Sequence, residues 1–272
     1  MHLQVNGHQT YCYTGGKAFD AARPTAVFIH GVLNDHSVWG LQTRYLAHHG
    51  WNVLAVDLPG HCRSEGEAPA TVEEAADFVA ALLDAAGVRR AALVGHSWGS
   101  LIALEAASRL QERVSHLVLV GIAYPMKVSK ALLDASVEDP PKAIHMMNVF
   151  MRSTLAPPPS ALGPGTWVWG TSSALHRRVL ASNSATNVLY RGFKACDSYA
   201  NGEAAIAAIT CPVLFVLGMQ DQMTQARSAQ SLIDKARDGG KPVKVIRLGV
   251  GHHQMTEAPD ETLFAIRDFL AQ

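Results

Sequence analysis

The run Gly95-His96-Ser97-Trp98-Gly99 constrains this chain more than any other. It sets a serine between two glycines where an apolar segment, Arg90-Ala-Ala-Leu-Val-Gly95, gives way to a helical pattern from Ser100 to Leu110 that carries Leu101, Ile102, Leu104 and Ala106. A strand that turns directly into a helix crowds backbone against backbone, and glycine at 95 and 99 removes the side chains that would collide. Such a turn, a nucleophile elbow, leaves Ser97 at its apex. The N–H of Trp98 then points the same way from the helix start, where negative charge is favoured. A serine hydroxyl alone is a weak nucleophile. It needs a base, a group that orients the base, and donors for an oxyanion.

Candidates for all three occur in a sensible order. Cys211-Pro-Val-Leu-Phe-Val-Leu-Gly218 reads as a buried strand followed by Asp221, and Val243-Lys-Val-Ile-Arg-Leu248 as a later strand followed by Gly249-Val-Gly-His252-His253. Carboxylate and imidazole thus lie just past the carboxyl ends of strands, where open α/β sheets bind ligands. Thr25-Ala-Val-Phe-Ile-His30-Gly31-Val32 is another strand ending in a turn, which makes the N–H of Val32 the second oxyanion donor beside that of Trp98. Adjacent residues at a strand end point in different directions, so only one of His252 and His253 is expected to serve Ser97.

With the chain order Ser, Asp, His, the sequence resembles the lidded esterase, lipase and peroxidase-like members of the α/β-hydrolase fold. The matching blocks are His30-Gly31 with Trp39, Asp57-Leu-Pro-Gly-His-Cys-Arg-Ser64, the Ser97 run, Gly218-Met-Gln-Asp221, and Gly251-His252 with Glu257-Ala-Pro259. The resemblance implies an α/β fold whose mostly parallel eight-stranded sheet is flanked by helices. It also implies a helical cap inserted after the sixth strand, dividing the chain into a core of residues 1–123 and 208–272 and a cap of residues 124–207. It implies a triad of Ser97, Asp221 and His252, the Gly-x-Gly-His spacing selecting the first histidine. Two positions depart from the family pattern. Cys62 stands where glycine is common, and Gln225 follows Thr224 where proline is frequent; neither carries chemistry.

A serine at the elbow argues against the epoxide hydrolase and haloalkane dehalogenase branches, which use aspartate there. The expected reaction is hydrolysis of a carboxylic ester of a small hydrophobic substrate through an acyl-enzyme intermediate. Lactone or thioester hydrolysis, cleavage of a carbon–carbon bond beside a ketone, and perhydrolysis share the machinery. A small-ligand receptor of the same fold, with negligible turnover, is the reading from another class.

Composition narrows the partners. With 23 basic and 23 acidic residues there is no net charge to attract nucleic acid or an anionic membrane. The start of the chain has no basic and apolar leader pattern, and no uncharged apolar run approaches about 18 residues. The expectation is a cytoplasmic monomer or homodimer acting on a small molecule. Cys12, Cys62, Cys196 and Cys211 lack metal-ligand spacing and read as free thiols, with Cys62 either a small turn residue or a reactive thiol. The histidines show no ligand spacing either, so neither metal nor cofactor is expected.

The rest supplies a frame. Asn6-Gly7 marks an opening hairpin, and Thr71-Val-Glu-Glu74 a capping box before a helix bearing Val72, Ala75, Val79 and Leu82. Pro259-Asp-Glu261 opens a closing helix with Leu263, Ile266 and Leu270. Residues 124–207 break the strand-helix rhythm with Pro125, Pro140-Pro141, Pro157-Pro-Pro159 and Pro164, flanked by helical patterns. Met146, Met147, Phe150, Trp167 and Trp169 in this stretch are candidates to roof a substrate pocket, with Val149, Met151 and Leu155 alongside. His30, His36 and His253 are candidates to flank it. For each, packing or structural hydrogen bonding is the competing reading.

Overall fold

A computed structural model describes residues 1–153 and 167–272. Asn6 and Gly7, at φ 51° and 82°, close an antiparallel hairpin between β1 (His2–Val5) and β2 (His8–Tyr13). Then follow β3 (Thr25–Ile29), α1 (Gly40–His48), β4 (Asn52–Val56), α2 (Val72–Ala85), β5 (Ala91–His96), α3 (Trp98–Leu110) and β6 (Val114–Val120). Five helices come next: α4 (Lys130–Glu138), α5 (Pro140–Met151), α6 (Val168–Ala181), α7 (Val188–Ser198) and α8 (Gly202–Ala208). The chain ends with β7 (Val213–Gly218), α9 (Gln230–Asp238), β8 (Val243–Leu248), α10 (Gln254–Glu257) and α11 (Pro259–Leu270).

The eight strands form one sheet in the order β1-β2-β4-β3-β5-β6-β7-β8. The pairings β1–β2 and β2–β4 are antiparallel and the others parallel. Helices cover both faces, so every residue of β3, β4, β5 and β7 is buried. That is why these strands read as continuous apolar runs and not as alternating ones. The edge strand β8 is only half-buried and carries Lys244 and Arg247, charges that discourage pairing with another chain.

Local signals set the helices. Thr71 caps α2, its hydroxyl accepting from the Glu74 amide at 3.1 Å, while the Glu74 carboxylate reaches back to the Ala70 amide at 2.7 Å. The return bond thus lands one residue earlier than in the usual reciprocal pair. Pro140 and Pro141 start a helix, with Asp139 accepting from the Lys142 amide at 3.1 Å. Leu155, Pro157, Pro158, Pro159 and Pro164 lie outside the described residues. No helix among the described residues is long and apolar enough to cross a membrane.

The helices between β6 and β7 are anchored on the core by Glu105 of α3. Its buried carboxylate accepts from the Tyr199 hydroxyl at 2.7 Å, Asn201 Nδ2 at 2.9 Å and Arg109 Nε at 2.8 Å. Glu105→Ala would leave these donors without their acceptor and is expected to cost about 2–3 kcal/mol. A lower urea midpoint at unchanged denaturant slope would report it, and an unchanged midpoint would show that the anchor contributes nothing.

Candidate active site

Ser97 follows the last residue of β5 and caps α3 with φ 54° and ψ −119°, a conformation that costs about 1–3 kcal/mol and persists only where surrounding structure imposes it. The imposing contacts are visible. A Cβ on Gly95 would strike the carbonyl of Gly99, and a Cβ on Gly99 would strike the carbonyls of Ile29 and His30 in β3 and the turn after it. The Ser97 amide donates to Val120 O at 2.9 Å, and its carbonyl accepts from the Ser100 amide at 2.8 Å. Its hydroxyl makes no hydrogen bond among the described residues. Ser97 lines a cavity of about 260 Å³.

Asp221 sits in the turn after β7, with Oδ1 accepting from the amides of Met223 and Thr224, both at 2.8 Å. Its Oδ2 accepts from His252 Nδ1 at 2.8 Å and from the Thr224 hydroxyl at 2.7 Å. Burial pushes this carboxyl's pKa up, but the imidazole of His252 and the Thr224 donors outweigh it and hold the group below the usual carboxylate range. A proton on Nδ1, donated to Asp221, selects the tautomer of His252 whose acceptor nitrogen is Nε2. The backbone fixes the same histidine, its amide donating to Met151 O at 2.8 Å and its carbonyl accepting from His96 Nε2 at 2.8 Å. Thr224 also lies 3.0 Å from His252 Nδ1, and it lines the cavity that contains Ser97. The structure thus gathers Ser97, Asp221 and His252 at one end of the sheet. The acid and imidazole are hydrogen-bonded to each other, and the serine hydroxyl has no partner among the described residues.

Val32 lines this cavity, and Trp98 begins α3 directly after Ser97. Neither amide donates to another protein group among the described residues. Gly192 lets α7 lie against the first of them: a Cβ there would come within 3.0 Å of the Val32 side chain.

The sequence-derived pocket residues separate. Phe150, 44% exposed, lines the serine cavity. Met147 is buried in the core and Met146 packs against it, while Trp167 is 68% exposed and Trp169 faces the His145 ring at 5.8 Å. These four do not line the cavity. His30 does not line this cavity either. Its Nδ1 lies 2.9 Å from Gly31 O, and its Nε2 accepts from the Leu58 amide at 3.1 Å, so both nitrogens are spent on backbone. His36 is held by Asp57, which accepts from its Nδ1 at 2.7 Å and its amide at 2.9 Å. Among the described residues His253 has no hydrogen-bond partner at either ring nitrogen, and it borders a different cavity.

Sequence reasoning missed Met126, Leu132, Phe193 and Met223 as apolar walls, with Lys127 and Gln222 beside them. Met223 had a readable signal, since the turn that carries Asp221 toward the serine must face it. The Cys62 thiol donates to Asp35 Oδ2 at 3.4 Å, and burial together with nearby Asp35 and Asp57 pushes its pKa up to about 12. Such a thiol is unreactive at neutral pH, and its backbone φ of 45° explains why glycine suits the position. All four cysteines are free.

Among the described residues, Asp35, His36 and Asp57 place ligand atoms within 4.8 Å of one another. Their oxygens are already taken. Asp35 accepts from Ser37 and from Arg178 at 2.5 Å. Burial alone would raise its carboxyl, but the Ser37 bonds, His36 and Arg178 bring it down to about 2. A guanidinium in this position repels a metal cation.

The alpha/beta hydrolase fold family matches residues 24–143. The pimeloyl-[acyl-carrier protein] methyl ester esterase of Neisseria meningitidis is 30% identical over 235 residues, spanning 79% of this chain and 82% of that protein. The chain belongs to the α/β-hydrolase fold family. Another member-like relative, the dihydrolipoyllysine-residue acetyltransferase component of the acetoin cleaving system of Cupriavidus necator, is 28% identical over 253 residues. That match covers 84% of this chain but 66% of the relative, so the α/β-hydrolase chain spans just under two thirds of that protein. Among solved structures, an N-acyl homoserine lactone degrading enzyme superposes with a TM-score of 0.77 at 26% identity, covering 99% of this chain and 100% of that one.

Proposed function

We propose that this α/β-hydrolase is a serine hydrolase that cleaves a carboxylic ester of a small hydrophobic substrate through an acyl-enzyme. The observation that supports it is the Asp221–His252 pair at 2.8 Å, sharing Thr224 with the cavity of Ser97. His252 takes the proton of Ser97 as the oxygen attacks the substrate carbonyl. Asp221 holds the imidazole in the required tautomer and stabilises the imidazolium without taking the proton. The amides of Val32 and Trp98 receive the oxyanion, and losing one such donor typically costs about 2.7–4 kcal/mol of transition-state stabilisation. His252 then protonates the leaving alcohol and activates water for deacylation. In this reading α4 to α7 form a cap, and α7 roofs the oxyanion turn through Gly192.

The substrate's acyl part is short. A cavity of about 260 Å³ walled by Met126, Leu132, Phe150 and Phe193 favours a compact apolar group over a long chain. The relation to a lactone-degrading enzyme favours a second reading, ring opening of a lactone by the same steps. Initial rates on aryl esters from acetyl to palmitoyl, with an acyl homoserine lactone beside them, test both. Repeated turnover with an optimum at short acyl chains is expected. A protein that unfolds cooperatively yet turns over nothing in the series would sink the hydrolase reading and leave the receptor.

A further inference from the structure

A second cavity, of about 480 Å³, lies beyond His253 and shares no lining residue with the serine cavity. Its most unusual wall is Arg152, at the end of α5. The Nη1 of Arg152 donates to Thr256 Oγ1 and its Nη2 to Ser172 Oγ, both at 2.7 Å, and its Nε has no partner among the described residues. A guanidinium has five N–H donors, so three remain available. Burial lowers the pKa of Arg152 to about 10, with Glu257 opposing the shift, which leaves the side chain charged at neutral pH.

Buried charges are ordinarily paired, because desolvation is costly. Among the described residues no carboxylate lies within ion-pair distance of Arg152. Glu257 shares the cavity wall, but its oxygens accept from the amides of Ser153, His253 and Gly251 and from the Ser153 hydroxyl. Arg178, at the same cavity, is already paired with Asp35 at 2.5 Å. His253, 1% exposed, borders this space, and its two ring nitrogens have no hydrogen-bond partner among the described residues. Burial first, and then the charge of Arg152, keep that ring neutral, so it can donate one hydrogen bond and accept another. The remaining wall includes the apolar side chains of Val38, Val168 and Leu175.

We propose that this cavity binds a small carboxylate with an apolar body, the carboxylate on Arg152 and Ser172 and the body against Val168 and Leu175. A guanidinium matches a planar carboxylate two bonds at a time, and the apolar walls favour such a ligand over inorganic phosphate. The inference rests on the cavity and does not require Ser97 to be a nucleophile.

Calorimetric titration of the full chain with phenylacetate, phenylacetamide and inorganic phosphate tests it, with the His253 ring followed by NMR. Phenylacetate is expected to bind saturably and shift the His253 signals, the neutral amide at least tenfold more weakly. Arg152→Gln is expected to weaken phenylacetate at least tenfold. Should that variant fail to fold, Ala174→Trp fills the cavity from an exposed helix position and is expected to abolish binding with Arg152 intact. Equal affinity for the amide, phosphate binding as tightly as phenylacetate, or unchanged binding in either folded variant would overturn the proposal. So would loss of binding after phosphonylation of Ser97 with retention in Arg152→Gln, which would put the anion in the serine cavity.

Discussion

Ser97→Ala is expected to lower kcat on a short aryl ester about a millionfold, the scale on which removing a serine nucleophile acts when the rest of its unit is kept. The variant should fold as the wild type does. The hydroxyl tethers no other described residue, and the backbone bonds of Ser97, to Val120, Ser100 and Leu101, survive the change. Asp221→Asn should cost about ten-thousandfold, because an amide can present a donor to Nδ1 and stabilise the wrong tautomer. Steady-state kinetics beside thermal unfolding separate chemistry from stability. A folded Ser97→Ala protein working at a tenth of the wild-type rate would remove the serine from the mechanism. Loss of turnover in His253→Ala with retention in His252→Ala would reverse the choice of base.

Gly99→Ala is the second large effect, and it acts on the fold. The added Cβ would meet backbone carbonyls of Ile29 and His30, which have no flexible end to swing away. Overpacking usually costs about 1–3 kcal/mol. Here β3 or α3 must shift as a whole, so a loss on the order of 4 kcal/mol or more, or failure to accumulate as folded protein, is expected. Gly40→Ala is the control of opposite sign. Gly40 has φ −53° and ψ −41°, with nothing near its Cβ position. That substitution should stabilise by about 0.4–1 kcal/mol through the unfolded chain. Urea midpoints of the two variants moving in the same direction would refute the argument.

What was legible in the sequence was local. The serine run predicted a strand up to Gly95; the observed strand continues to His96, since the sharp turn falls entirely on Ser97. Val243–Leu248 appears with the expected bounds, and the strand expected from Cys211 starts at Val213, after Pro212. Leu263, Ile266 and Leu270 face the core from α11 as their spacing requires. The blocks that brought Ser97, Asp221 and His252 into one order also bring them to one end of the sheet. The cavity beside Ser97 was not legible in this way. Its walls come from the Val32 turn, the segment after β6, α4, α5, α7 and the Asp221 turn, and no period in any one segment reports how distant segments meet. Met146 and Met147 show the difficulty. They have the composition of a pocket roof, but the rotation of α5 sends Met147 into the core and only Phe150 to the cavity.

The strands on either side of the helical insertion, β6 and β7, are hydrogen-bonded neighbours in parallel register from Leu117↔Val213 to Val120↔Val216. The chain therefore leaves the sheet and returns beside its point of departure, and the sheet is continuous without the excursion. Ser97 is encoded before that detour and Asp221 and His252 after it. An exchange of the intervening segment between relatives can thus replace most of the cavity wall in one event while Ser97, Asp221 and His252 are inherited unchanged. The graft must still supply the Tyr199 and Asn201 contacts that Glu105 demands, which makes that anchor the compatibility test for any new insertion.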